Sequence, residues 1–551
     1  MPLTPYTGPF GTPELRHLLR RSLFGASPAD LAHFGGQSLD QVADALLTFT
    51  NDTTPPIKTY WGLNGGNPDP ALLDPNVPFG STWIDTVRTL DDTDQSIARL
   101  TSLVYWRTGL LAEQQRNLRE KLSLFWFNHM PNQVGEVFNP RLSYDYDQLL
   151  RNNCTGNFRE LIHEVSTSGA MLIYLNGYLN TVVAPDENFA RELMELFTLG
   201  EGSGYTEEDV QAAARVLTGW TVREDILGTI ILPEVIFRAQ QHNTEDKQFS
   251  AFFNNTVIQG QSGTTAGETE LNDLLDMICA KEEVSRFVCR ELYRFFTHGE
   301  IDATVESTVI EPLAEIFRDN ATAPDQMGIV LRALLTSDHF FSAAIRGCMI
   351  KSPADLAVGA LRELGMPYPA LAQFEARYKV WGDLYFLIGY CGQELANPPN
   401  VAGWPAYYQY PQYDSIWMDT ATYPARNLTM QAILFNGFVT ADDLYQPESQ
   451  NLTFKIDLLA VVAQFSDPYD PNTLVANAAD MLFAVPVSQG VRDQLKSSFL
   501  LLGQQSDFYW SDAYEIYVLD PNTTDMTAQL VPFMLLSLFL DMSGAAETQL
   551  H

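Results

Sequence analysis

Basic residues are scarce in this chain: 33 lysines and arginines stand against 68 aspartates and glutamates in 551 residues, a formal charge of −35 at pH 7. Phosphate backbones and anionic membranes repel such a chain at long range, which argues against nucleic acid as a partner. The acidity suits solubility in a salty or extracellular setting, or attraction for cations. Cysteine is scarcer still, with Cys154, Cys279, Cys289, Cys348 and Cys391 and no CxxC pair. Their odd number and wide scatter argue against a disulfide framework, and apolar neighbours in LLDMICA and SRFVCREL mark buried thiols. Long hydrophobic runs are missing. The richest, LVPFMLLSLFLDMSG, is too short to span a bilayer and carries Asp541. The N-terminal MPLTPYTGPFGTPELRHLLRR has no apolar core of the kind a secretory signal needs, so no signal peptide is expected in this sequence. GxSxG, P-loop, GxGxxG, HExxH and calcium-loop patterns are all absent, so the common nucleotide and serine-hydrolase readings lose weight.

What remains is 46% hydrophobic, 12% aromatic and 18% charged, an ordinary globular composition with enough apolar residues for a sizeable core. Helical periodicity dominates. TPELRHLLRRSLFG starts with Thr12 as N-cap and stops at Gly25, and SPADLAHFGG repeats that signature. Residues 51–80, rich in Pro, Gly, Asn and Asp, read as a long surface loop, and a helical block follows from about Ser81 to Ile173. In YTEEDVQAAARVLTGW, Thr206 caps and Asp209 reaches back. The β-branched GTIILPEVIF and the turn-rich AFFNNTVIQGQSG predict a small hairpin excursion over 221–263. The expected fold is therefore all-α: a large multi-helix body with one small β excursion. A body over 1–440 and a C-terminal helical extension over 441–551 packed on it are the expected organisation.

The stretch PDENFARELMELFTLG sets Glu192 and Glu195 three residues apart. At 100° per residue Glu187, Asn188, Arg191, Glu192 and Glu195 share one sector, opposite Phe189, Leu193, Met194 and Phe197. This is either a solvated face of i,i+4 ion pairs, or a polar cavity where paired carboxylates bind a divalent cation or hold a raised pKa for acid–base work. In LREKLSLFWFNHM, Leu118, Leu122, Phe125 and His129 form one stripe, placing the histidine and its neighbour Asn128 against a buried aromatic wall. Glu160 and His163 have ExxH spacing, and His242 sits beside Glu245, Asp246 and Lys247 on an expected loop, as a metal or substrate contact or a surface turn.

Several of these pieces together resemble the domain-of-unknown-function 1800 family of bacterial proteins. The resemblance runs through RHLLRRSLFGASPADL, FWFNHM, FRELIHEVSTSGAMLIYLNG, DENFARELMELFTLGEGSGYTEEDVQAAARVLTGW, SRFVCRELYRFF, MIKSPADLAVGALRELG and GQELANPPNVAGWP, about residues 12 to 430. The family's His-Asp-x-Gly-x-Lys run stands here as HNTEDK, so His242 and Lys247 match while the Asp and Gly do not. His163 falls outside the motif positions. The resemblance implies an all-helical, often exported protein, frequently encoded beside a sulfatase-like partner. It also implies that Asn128, His129, Asn188, Arg191, Glu192, Glu195, Trp220 and His242 are motif positions rather than incidental polar residues.

Two functions follow as expectations. One is an enzyme acting on an extracellular polymer such as a glycan. Glu192, Glu195 and His129 would be its catalytic groups, with His129, Glu192, Glu195 and His242 as ligands of a divalent metal ion. Asn128, Asn188, Arg191, Trp220 and Trp404 would contact substrate or support those groups, and aromatic loops such as GWPAYYQY could stack sugars of a polysaccharide partner. The other is a non-catalytic surface, binding or assembly protein in which the same polar residues form a buried structural network.

Overall fold

Helices dominate the computed structural model, which describes residues 3–50, 54–90, 92–444, 446 and 449–551. The only sheets among these residues are four two-stranded antiparallel hairpins. Two fall in the expected excursion, pairing Trp220–Ile226 with Thr229–Phe237 and Lys247–Gln248 with Val257–Ile258. The other two lie outside it. Gly62–Asn64 pairs with Asn67–Asp69 inside the long loop, and Phe438–Ala441 pairs with Asn451–Phe454 where the sequence reads as helix. The helical block also begins later than Ser81, at Thr93, where the Asp92 side chain caps the Gln95 amide.

Local signals set most helix ends. Thr206 and Asp209 cap helix Glu207–Val216 reciprocally, as expected. The first helix, Thr12–Ser22, is capped one residue earlier than Thr12. The Gly11 amide donates to Glu14 at 3.0 Å, and that reach fixes Glu14 as the third helical residue. Gly25 (φ +97°) has a packing role beyond the turn, since a Cβ there would stand 3.0 Å from the Gly359 Cα.

Helix Arg119–His129 runs through the centre and is buried on every face. Its charged residues are matched inside the core: Glu120 accepts from Arg151 at 2.7 Å, Lys121 contacts Asp355, and Arg119 donates to Asn152 at 2.9 Å. Two further helices, Thr93–Ala112 and Phe374–Tyr390, interlock through glycine. A Cβ on Gly109 would meet the Trp381 ring at 2.3 Å, and one on Gly382 would meet the Tyr105 ring at 2.7 Å. Near the C-terminus, helix Val531–Gly544 buries Met534, Leu535, Leu538 and Phe539, and Leu550 bridges back to Ile350. Among the described residues no helix is long and apolar enough to cross a membrane. The five cysteines are free, three of them buried.

Candidate functional site

His129 ends the central helix, and its environment is aromatic. Its ring stacks on Phe125 at 5.9 Å and lies 5.7–5.8 Å from Phe287 and Trp126. Burial lowers its pKa, so the neutral imidazole is the form this pocket holds. Nε2 lies 3.0 Å from the Phe197 carbonyl, to which it donates, at a helix end whose last carbonyls have no intrahelical partner. Asn128 is used in the same way. Its Oδ1 accepts the Trp404 amide at 2.9 Å, in a turn where Gly403 (φ +84°) lets the chain approach within what would be 2.4 Å of a Cβ. Trp404 itself is 1% exposed. Of the GWPAYYQY aromatics, Trp404 and Tyr407 are core residues and Tyr410 stands in solvent, so the expected stacking platform is mostly inside the protein.

The opening helix is short. After Asn188–Glu192 the backbone widens into a π-turn over Leu193–Thr198, with the Leu199 amide reaching the Met194 carbonyl. That change breaks the uniform 100° projection at the point where Glu195 follows Glu192. Asn188 donates to the Leu175 carbonyl at 3.2 Å. Arg191 pairs with Glu187 at 3.3 Å and with Glu207 at 2.5 Å, so the expected i,i+4 pair exists on an exposed face. The Glu192 carboxylate makes no hydrogen bond or ion pair among the described residues. Its half-burial and the neighbouring Glu195 charge push its pKa up to about 7. Burial likewise raises the phenols of Tyr174 and Tyr205 that flank this pair, each to about 12.

His242 is a correction. The sequence suggests a loop contact or a surface turn, but the side chain is 1% exposed and sits in a buried charge cluster. Nδ1 faces the Thr218 carbonyl at 2.9 Å, and Nε2 lies 3.1 Å from Glu270. The other Glu270 oxygen lies 2.6 Å from the fully buried Lys247. Glu270 also accepts the Gln261 amide at 2.7 Å. Sequence reasoning missed Glu270, although its position was legible: Glu270, Leu274 and Ile278 recur at i, i+4 and i+8 on the buried face of helix Ala266–Cys279. Trp220 packs beside this cluster through Phe237, at 5.3 Å. His163, outside the cluster, pairs with Glu268 at 2.8 Å near the surface.

The four expected metal ligands are thus divided. His129 and His242 are committed to carbonyls and to Glu270, and Glu192 and Glu195 share a different surface. Among the described residues no group of three or more His, Cys, Asp or Glu side chains is arranged to hold a metal ion. The residues present do not fit the metal centre expected from the sequence.

A family model described as "Protein of unknown function (DUF1800)" matches residues 17–521. The chain belongs to the DUF1800 family. No curated protein and no solved structure matches it.

In this DUF1800 chain the large concave spaces lie elsewhere. A partly open cavity of about 260 Å³ is lined by Trp106, Phe374, Tyr378 and Trp381, together with polar residues that include Glu113, Gln114, Arg119, Glu120 and Arg151. A cleft of about 980 Å³ adjoins it across the segment 113–117 and is lined by Asp30, His33, Gln114, Arg362 and Tyr368. Trp381 is held by its Nε1 on Glu113 at 2.8 Å, and Arg377 donates to the same carboxylate. Burial raises the Glu113 pKa, partly offset by Arg377. The Gln114 side chain lies between the two spaces, and both its amide atoms are buried without a hydrogen-bond partner, as is the Tyr368 hydroxyl. Buried polar atoms without partners are uncommon, and these three belong to residues that line the cavities.

Proposed function

We propose that the protein is a non-catalytic binding protein for a neutral glycan, with the paired cavities around Gln114 as its ligand site. The observation that carries this reading is Gln114. A buried primary amide offers two donors and an acceptor, and here it lies beside a half-buried Trp381 and Phe374. Sugar rings present apolar faces to aromatic side chains and hydroxyls to amides, the combination this wall supplies. The strong negative charge disfavours an acidic polymer at long range. Asn128, His129, Trp404 and His242 then have the structural role their contacts support, bracing the helical body.

The experiment is calorimetric titration with neutral pentasaccharides built on cellulose, chitin, mannan and starch linkages, together with a reducing-end assay on the matching polymers. Saturable binding of at least one oligosaccharide without release of reducing ends is the expected result. Gly109→Ala is expected to weaken that binding, because the added Cβ would displace the Trp381 ring it meets at 2.3 Å. Wild-type affinity in a folded Gly109→Ala protein would count against the aromatic wall.

A second reading has one observation in its favour: a carboxyl group with a pKa of about 7 is suited to general acid–base work, and Glu192 is such a group. As an enzyme the protein would use Glu192 with Glu195, and a divalent cation there would have only those two carboxylates. The titration of Glu192 has its own consequence. Its folded pKa lies above the ordinary 4.5, so the stability it contributes is present below pH 4.5 and is lost as pH rises to about 7. Glu192→Gln is therefore expected to raise the melting temperature at pH 8 and leave it unchanged at pH 4. A lower melting temperature at pH 8 would show that the ionised carboxylate has a stabilising partner.

A further inference from the structure

A third cleft, of about 890 Å³, opens between the first helix, the turn around Gly347 and the segment from Asn477 to Val487. Its charge is opposite to that of the chain. Four arginines line it, Arg16, Arg20, Arg346 and Arg492, and the one acidic side chain on the same wall is Asp480. Where basic residues are outnumbered about two to one, such a concentration needs an explanation.

The four guanidiniums are not equally satisfied. Arg20 is 5% exposed, with Glu363 at 2.8 Å and the Phe483 carbonyl at 2.9 Å. Arg346 pairs with Glu14 at 3.0 Å. Arg16 donates to the main-chain carbonyl of Asp480 and has no carboxylate in ion-pair range among the described residues. Arg492 lies 4.0 Å from the Asp480 carboxylate, which is itself 65% exposed, and its buried Nε has no partner. Arg16 and Arg492 thus converge on a single residue, Arg16 on its main chain and Arg492 loosely on its carboxylate. Further charges are buried in the body, Lys121 paired with Asp355 and Arg20 with Glu363. Arg21, Lys351 and Arg426 are buried as well, and Arg21 and Lys351 act on the buried ring of His551, which lines the cleft. The rest of the wall combines apolar side chains, Leu31, Phe465, Phe483, Val485 and Val487, with the polar Thr12, His17, Gln464, Asn477 and His551.

We propose that this cleft binds a small organic oxyanion, a carboxylate or phosphate monoester on an apolar body, with Arg16 and Arg492 gripping the head group. Planar guanidinium forks match both oxyanions, and desolvated charge-assisted hydrogen bonds are the strong ones. The volume exceeds what an inorganic ion fills, and the apolar side chains give the rest of the ligand a place to bury. This site is independent of the glycan cavities and stands or falls separately.

The test is calorimetric titration of the full chain with octyl phosphate, octanoate, inorganic phosphate and, as a neutral control, octyl glucoside. Arg16→Gln and Arg492→Gln are each expected to weaken the better anionic amphiphile about tenfold, the order of one charge-assisted hydrogen bond. Asp480→Asn removes the competing carboxylate and is expected to tighten it, a gain that damaged folding cannot produce. Preference for octyl phosphate or for octanoate identifies the head group. Absence of saturable binding by either would overturn the proposal, as would equal affinity for octyl glucoside, equal affinity for inorganic phosphate, or unchanged affinity in arginine variants that melt normally.

Discussion

Glu270→Gln is expected to cost about 3–5 kcal/mol of stability, the usual cost of breaking a buried ion pair by removing one partner. Glu270 is fully buried between Lys247 at 2.6 Å and His242 at 3.1 Å. The amide preserves shape but removes the charge, leaving a fully buried ammonium uncompensated. Burial already lowers the Lys247 pKa below its ordinary 10.5, and Glu270 is the main influence opposing that shift. In the variant the pKa falls further. A lysine with a depressed folded pKa loses its penalty as pH rises through that value, because the folded state then holds the neutral amine. The deficit is therefore expected to shrink toward pH 10. Joint replacement, Lys247→Met with Glu270→Leu, is expected to recover much of the loss, since removing both partners leaves no lone buried charge. Denaturant midpoints across pH check this; unfolding of so long a chain need not be two-state, so midpoints are compared rather than one ΔG. A deficit under about 1 kcal/mol would mean that the cluster is not a bracing element.

Gly403→Ala is expected to destabilise by about 2–4 kcal/mol, combining left-handed backbone strain with overpacking. The residue has φ +84°, and an added Cβ would lie 2.4 Å from the Asn128 carbonyl oxygen and 2.5 Å from its Oδ1. Neither atom can retreat freely. One belongs to the central helix, and the other holds the Trp404 amide at 2.9 Å. Loss of that contact would release Trp404 from the core, so the near-ultraviolet circular dichroism is expected to change with the melting temperature. A protein of normal stability would show that the Asn128 turn is slack, and would remove the structural role assigned to it.

Those two sites also show what was legible beforehand. The stripe Leu118, Leu122, Phe125 and His129 placed a histidine in the core, where it is, but the whole helix is buried, its charged Arg119, Glu120 and Lys121 included, which no single stripe announces. The capping box at Thr206 and Asp209 was equally local and equally visible. Legibility failed where the partner is distant. His242 lies on a loop as expected, but its burial depends on Glu270, a charge that helix Ala266–Cys279 supplies. The face of Asn188 to Glu195 was drawn with a uniform helical period, and the π-turn from Leu193 changes it, a backbone irregularity that residue types do not announce. The cavity walls come from Trp106, Gln114, Tyr368 and Trp381, each ordinary in its own segment. Only the packing of helices Thr93–Ala112 and Phe374–Tyr390, set by Gly109 and Gly382, brings the two tryptophans together.

Whether function resides in the cavities or on the Glu192 helix can be decided by one comparison. Gln114→Leu and Glu192→Gln are titrated side by side with the pentasaccharide that the wild-type protein binds best, after both are shown to melt cooperatively. The leucine fills similar space without donors or acceptors, so affinity is expected to fall about tenfold. Glu192 lines neither cavity, so Glu192→Gln is expected to bind as the wild type does. Full affinity in Gln114→Leu together with lost binding in Glu192→Gln would contradict the account and return the site to the paired carboxylates.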